Sequence, residues 1–243
     1  MPEDLDDKTV NDHLSRISTM WTVVFKAHEG SERTITAAQE QLLQRYRGAV
    51  YRYLFTIMRD VHAADELAQE FAVKIVRGSF KNADPQGGRF RDYVKATLFN
   101  LIRTYRKQQR KREPQVGQLA QEPATNPEPS EQEFLKSWRD ELLQRSWESL
   151  QQEDQRSGRI YYRVLKYRVT NSAVSTKEMA SLLGEQLGRD LSADTVRQVI
   201  HRARKRFSSL LFAEVSRSVE TVSKETVEQE LIDWGCTSIA DTC

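Results

Sequence analysis

With 243 residues, 38% hydrophobic and 30% charged, the chain has material for one large or two small domains with modest cores and much solvated surface. Its two cysteines, Cys236 and Cys243, both fall in the last eight residues, which excludes a disulfide framework and makes a reducing cytoplasm the simplest setting. No run approaches the roughly twenty apolar residues of a membrane span, the acidic start MPEDLDDKTVND is unlike a secretory signal, and a net charge of only +2 means that any basic cluster localises its charge.

Glycine and proline are sparse, and apolar residues recur at three and four, the period of helices. Leu42, Tyr46, Ala49, Tyr53 and Ile57, flanked by Leu43, Val50 and Leu54, stripe a first helix. Asp60 is placed to cap a second, lined by Ala64, Leu67, Ala68, Phe71, Ala72, Ile75 and Val76, with Asp65 and Glu66 expected in its first turn and Gly78 at its end. A turn-rich loop, GSFKNADPQGGR, follows from Gly78 to Arg89. Phe90, Val94, Leu98, Leu101 and Tyr105 stripe a third helix that runs out into LIRTYRKQQRKR, six basic residues and no acid. Four prolines between Glu113 and Ser130 then forbid a regular helix and mark a linker.

Helical periodicity resumes with Phe134, Leu135, Trp138, Leu142, Trp147 and Leu150, and again with Ile160, Val164, Leu165 and Tyr167. Ser175 and Glu178 have the spacing of a capping box opening a helix with Met179, Leu182 and Leu183, which Gly188 ends. Ser192 can cap a last long helix whose inward face is Val196, Ile200, Ala203, Phe207 and Leu210. From Glu214 the chain turns acidic.

Two constellations carry chemistry. The pair of short and long helices between Ser175 and Arg206 has the pattern of a helix-turn-helix, which sets the start of its second helix in a major groove. Asp194, Thr195, Arg197, Gln198, His201 and Arg202 could then reach base edges, while Arg204, Lys205 and Arg206 would meet phosphate. In the other, Phe90, Tyr93, Phe99 and Tyr105 are interleaved with Arg89, Arg91, Lys95, Arg103 and Arg106, so that bases can stack on rings while cations follow the backbone. An ordinary solvated hairpin and ordinary core aromatics are the competing explanations. The four histidines sit at no metal-ligand spacing, and neither a phosphate cradle nor a nucleophile motif occurs, so no catalytic site, metal or cofactor is expected.

In order, YRGAVYRYLFTIMRDVHAADELAQEFAVKIV, GRFRDYVKATLFNLIRTYRKQQRKR, TKEMASLLG and SADTVRQVIHRARKRF resemble region two and region four of bacterial RNA polymerase sigma factors of the extracytoplasmic-function class. The resemblance covers about Leu42 to Val215. It implies that Asp65, Glu66, Leu67, Gln69, Glu70 and Phe71 dock on core RNA polymerase. Phe80, Lys81, Asn82, Arg89, Asn100, Arg103, Tyr105, Arg106, Lys107 and Arg110 would act at the minus-ten element, the first three around a flipped base. Asp194, Thr195, Arg197, Gln198, His201, Arg202, Arg204 and Lys205 would act at the minus-thirty-five element. Two departures stand out: Glu66 replaces the usual aspartate, and EQLGRD lengthens either the first helix or the turn of the helix-turn-helix.

The expected protein is all-α, with two small helical domains joined by a flexible linker and a helix-turn-helix in the second. Its parts are an N-terminal arm at 1–35, partly disordered, a region-two-like domain at 36–112, the linker at 113–131, a region-four-like domain at 132–216 and an acidic tail at 217–243. The implied partners are core polymerase and promoter DNA, with an anti-sigma factor or other regulator left open, and the implied function is initiation factor rather than enzyme. A stand-alone helix-turn-helix regulator is the main rival, and an RNA-binding or scaffolding helical protein a third.

Overall fold

The computed structural model describes residues 23–24, 26–27, 31–78, 89–112, 127–188, 190–219 and 223–234. Among these residues the fold is all-α, and its helices of ten residues or more are α1 (Glu32–Met58), α2 (Val61–Val76), α3 (Phe90–Arg112), α4 (Glu131–Ser157), α5 (Tyr161–Thr170), α6 (Thr176–Leu187), α7 (Ala193–Ser216) and α8 (Lys224–Asp233). Packing divides the chain into two units. One takes residues up to Glu141 together with Ser216–Thr226, and the other takes Leu142–Val215 together with the chain from Val227.

In the first unit, α1 begins well ahead of its apolar stripe because the Ser31 hydroxyl accepts from the Thr34 amide at 3.4 Å and caps it. Arg59, in the left-handed region with φ 51°, closes α1 by donating to the Phe55 carbonyl at 2.9 Å. Asp60 then caps α2, its Oδ1 accepting from the Ala63 amide at 2.9 Å. The three striped faces form one core: Leu42, Tyr46, Val50, Tyr53, Leu54 and Ile57 from α1, Ala64, Leu67, Phe71 and Ile75 from α2, and Phe90, Val94, Leu98 and Ile102 from α3 are buried. Val23, Val24 and Ala27, from the expected arm, are buried too. Gln39 donates from Nε2 to the carbonyls of Ala27 and Val76, both at 3.2 Å, and so satisfies an open carbonyl at the end of α2.

The start of α4 packs into this same unit. Trp138 stacks on Tyr46 with centroids 4.8 Å apart, and Phe134 meets Tyr53 edge-on at 5.6 Å. Arg52 reaches the Ser137 carbonyl at 3.4 Å and the Glu141 carboxylate at 3.5 Å. Gly48 makes room for that carboxylate, since a Cβ there would come 2.8 Å from Glu141 Cδ. The boundary between units thus falls after Glu141, inside the segment expected to belong wholly to the second domain.

In the second unit, Trp147 lies between Tyr162, edge-on at 5.9 Å, and Phe207 at 4.5 Å. Val164 of α5, Met179, Ala180 and Leu183 of α6, and Val196 and Ile200 of α7 close a second small core. The capping box is formed in both directions: the Glu178 amide donates to Ser175 Oγ at 3.2 Å and the Ser175 amide to Glu178 Oε2 at 3.0 Å. Helix α6 continues through Leu187 and ends on Gly188, φ 60°, so the extra residues of EQLGRD lengthen the helix as well as lead into the turn. Ser192 caps α7, accepting from the Thr195 amide at 3.1 Å. The C-terminal stretch does not hang free where it is described: Val227, Leu231 and Trp234 are buried.

Candidate functional site

Helix α2 offers one polar face. Asp65, Glu66, Gln69 and Glu70 are exposed, whereas Leu67 and Phe71 are 0% and 3% exposed and belong to the core. The last two pack into the core and so fix the rotation of the helix that presents the other four. Because α2 starts at Val61, no acid lies in its first turn, and the helix dipole, which fades beyond that turn, explains neither Asp65 nor Glu66. Among the described residues neither Asp65, Glu66 nor Glu70 has an ion-pair partner. Glu66 and Glu70 also stand at i,i+4, a like-charge spacing that costs a helix a few tenths of a kcal/mol. Among the described residues, then, the cluster is an exposed acidic patch that no ion pair neutralises.

Helix α3 sorts its polar residues by face. Asn100, Arg103, Lys107 and Arg110 are all exposed, and their spacing of three, four and three puts them on one side. Arg89, half-buried, sits 3.4 Å from Asp92. Arg106 is half-buried and engaged, donating to the Pro127 carbonyl at 2.8 Å with the Glu128 carboxylate at 3.5 Å. Of the interleaved aromatics, Phe90 is core, packed on Tyr46, and Phe99 stacks on Tyr53 with centroids 6.0 Å apart. Tyr93 and Tyr105 are half-buried and keep part of their surface open. Phe80, Lys81 and Asn82 lie outside the described residues, as do 113–126 of the expected linker and both cysteines.

Helix α7 turns Asp194, Thr195, Arg197, Gln198, His201, Arg202, Arg204 and Lys205 all to the surface. Arg197, His201 and Lys205 repeat at four and share a face with Asp194 and Gln198, opposite Val196, Ile200 and Ala203. Asp194 and Arg197 form an ion pair along the helix. Arg206, read from sequence as a phosphate contact, is instead clasped by Glu153: its Nε donates to Oε2 at 2.7 Å and a second bond joins Nη2 to Oε1. That guanidinium holds the Glu153 carboxyl below its usual range. Sequence reading missed this pair because its members are separated by 53 positions.

Among the described residues no helix is long and apolar enough to cross a membrane, and no group of histidine, cysteine or acidic side chains could hold a metal ion. The arrangement offers charge rather than reaction chemistry: one acidic face on α2, one cationic face on α3 and one mixed, mainly cationic face on α7. Residues 42–112, which span α2, α3 and most of α1, match the family model for sigma-70 region 2. That match supports a sigma-70-type factor and, with it, a part in promoter recognition and melting. No curated protein and no solved structure matches the chain.

Proposed function

We propose that the chain is a sigma factor of the extracytoplasmic-function class, acting in the cytoplasm, which binds core RNA polymerase, directs it to particular promoters and helps open the duplex without being an enzyme. The match of residues 42–112 to sigma-70 region 2 carries this reading. The exposed acids of α2, Asp65, Glu66 and Glu70 with Gln69 beside them, are the polymerase-facing surface. The strip Asn100, Arg103, Lys107 and Arg110 on α3 follows the backbone of the opening strand, with Tyr105 beside it to stack. Flipping a base costs a few kcal/mol of stacking, and Phe80, Lys81 and Asn82 are the residues assigned to enclose it. Helices α6 and α7 act as the helix-turn-helix that reads the minus-thirty-five element through Arg197, Gln198 and His201.

Mixing the full chain with purified core polymerase tests the reading. A stoichiometric complex that selects start sites from a promoter library is expected, and Glu70→Lys should abolish complex formation while leaving the helical circular dichroism intact, because charge reversal at an exposed site rarely unfolds a helix. A Glu70→Lys chain that binds core as well as the parent removes the docking role. One observation favours the rival of a stand-alone operator-binding regulator: α5, α6 and α7 close a core of their own beneath an exposed basic face. That rival predicts sequence-specific duplex binding and no complex with core.

A further inference from the structure

The segment that leads into α4, Pro127–Glu131, lies along one flank of α3. Arg106 is held at one end by the Pro127 carbonyl at 2.8 Å and the Glu128 carboxylate at 3.5 Å. Lys95 is held at the other by the Glu131 carboxylate at 2.5 Å. The two cations are eleven positions apart in sequence, three helical turns and about 16 Å of rise. What the segment presents is the chemistry of a nucleic-acid backbone: a short run in which Pro127 and Pro129 have no N–H to donate, offering α3 a carbonyl oxygen and two carboxylates in series. Arg106 also adjoins the exposed strip of Arg103, Lys107 and Arg110 in sequence and in helical phase, so the segment occupies the edge of the cationic face.

We propose that Pro127–Glu131 is an internal stand-in for a polynucleotide backbone on α3, occupying Lys95 and Arg106 until the phosphates of a bound strand displace Glu128 and Glu131. The proposal rests on the reading of α3 as a DNA-binding surface and adds a competitor carried by the same chain. The competitor is weak enough to be displaced. The Glu128 side chain is 83% exposed and that of Glu131 61%, against 16% for Arg106 and 21% for Lys95. The acids are thus the solvated halves of the pairs, and ion pairs open to water on one side are modest and salt-screened. Two such pairs command roughly a three- to thirtyfold change in affinity. The segment would thereby discourage binding to arbitrary strands while yielding to a strand that gains further contacts along Arg103, Lys107 and Arg110.

The test uses the full chain and a labelled, mixed-sequence 30-nucleotide single strand as probe, with binding followed by fluorescence anisotropy between about 50 and 200 mM salt, where phosphate contacts are most visible. The double variant Glu128→Gln/Glu131→Gln, which leaves Ser130 and Glu133 in place to start α4, should bind about three- to thirtyfold more tightly. Its log affinity should fall more steeply with log salt, by about 0.7 for each phosphate newly engaged. Adding Lys95→Ala/Arg106→Ala to that variant should cancel the gain. A gain that persists without those two cations comes from net charge and overturns the proposal. Equal affinity and slope in parent and double variant also overturn it; if Arg103→Ala/Lys107→Ala still weakens binding, the DNA-binding reading of α3 survives that failure. If Arg103→Ala/Lys107→Ala changes nothing either, both fall together.

Discussion

Asp154 shows how a single carboxylate holds a helix start that its own sequence leaves uncapped. Ile160, at the N-cap of α5, has no side-chain oxygen to offer, and Asp154 Oδ2 accepts from the Tyr162 amide at 2.7 Å in its place. Burial pushes the Asp154 carboxyl up, against the pull of that amide and of Arg159 and Arg163. Asp154→Ala should therefore lower unfolding free energy by about 1 kcal/mol, as loss of a cap does, and urea titration would read it. Asp154→Asn keeps an acceptor and sheds the half-buried charge, so it should lose less than alanine. A carboxyl whose folded pKa exceeds its unfolded value opposes folding as pH rises through the folded value, so the benefit of asparagine grows from acid toward neutral pH. Glu153 runs the other way. Its lowered carboxyl, due first to Arg206, adds stability above the ordinary carboxylate range that is lost as pH falls through the folded value.

The elements that matter for recognition are those whose rotation is fixed. Helix α7 is held in phase by the Ser192 cap at its start and by Val196, Ile200, Ala203 and Phe207 along its buried side. Arg197 and His201 consequently face outward. If Arg197 makes a base contact, Arg197→Ala should weaken duplex binding by about 1 to 3 kcal/mol and relax preference at one position. Equal weakening across a panel of duplexes would assign it to phosphate. Its ion pair with Asp194 is exposed, so breaking it should leave thermal stability nearly unchanged. In α2 the same logic of phase divides six residues that the resemblance groups together: Leu67 and Phe71 lie on the apolar stripe legible in the sequence and are buried, while Asp65, Glu66, Gln69 and Glu70 face outward.

At the scale of the whole chain, the described residues after Ser216 are structural. Ser218, Val219, Val227, Leu231 and Trp234 are buried, as is Glu230, while Glu214 is 6% exposed, so these two acids are taken up by the fold and cannot shield α7 as a free acidic tail would. Truncation after Val215 should strip apolar cover and destabilise the protein, with Trp234→Ala alone losing about 3 to 5 kcal/mol in thermal or urea unfolding. Retained stability after truncation would contradict the packing. The sequence made the helices legible through stripes, the Asp60 and Ser192 caps and the Ser175–Glu178 box, because each is a local signal. What it hid was long-range: the docking of Phe134 and Trp138 on Tyr46 and Tyr53, Glu128 on Arg106, and Glu153 on Arg206. Helix α8 could have been found, since Ser223 and Thr226 cap it reciprocally and Val227, Leu231 and Trp234 recur at four and three. Both units draw on residues beyond position 215 to complete themselves. On the ribosome, then, neither can finish its core while the nascent chain is still short of that stretch.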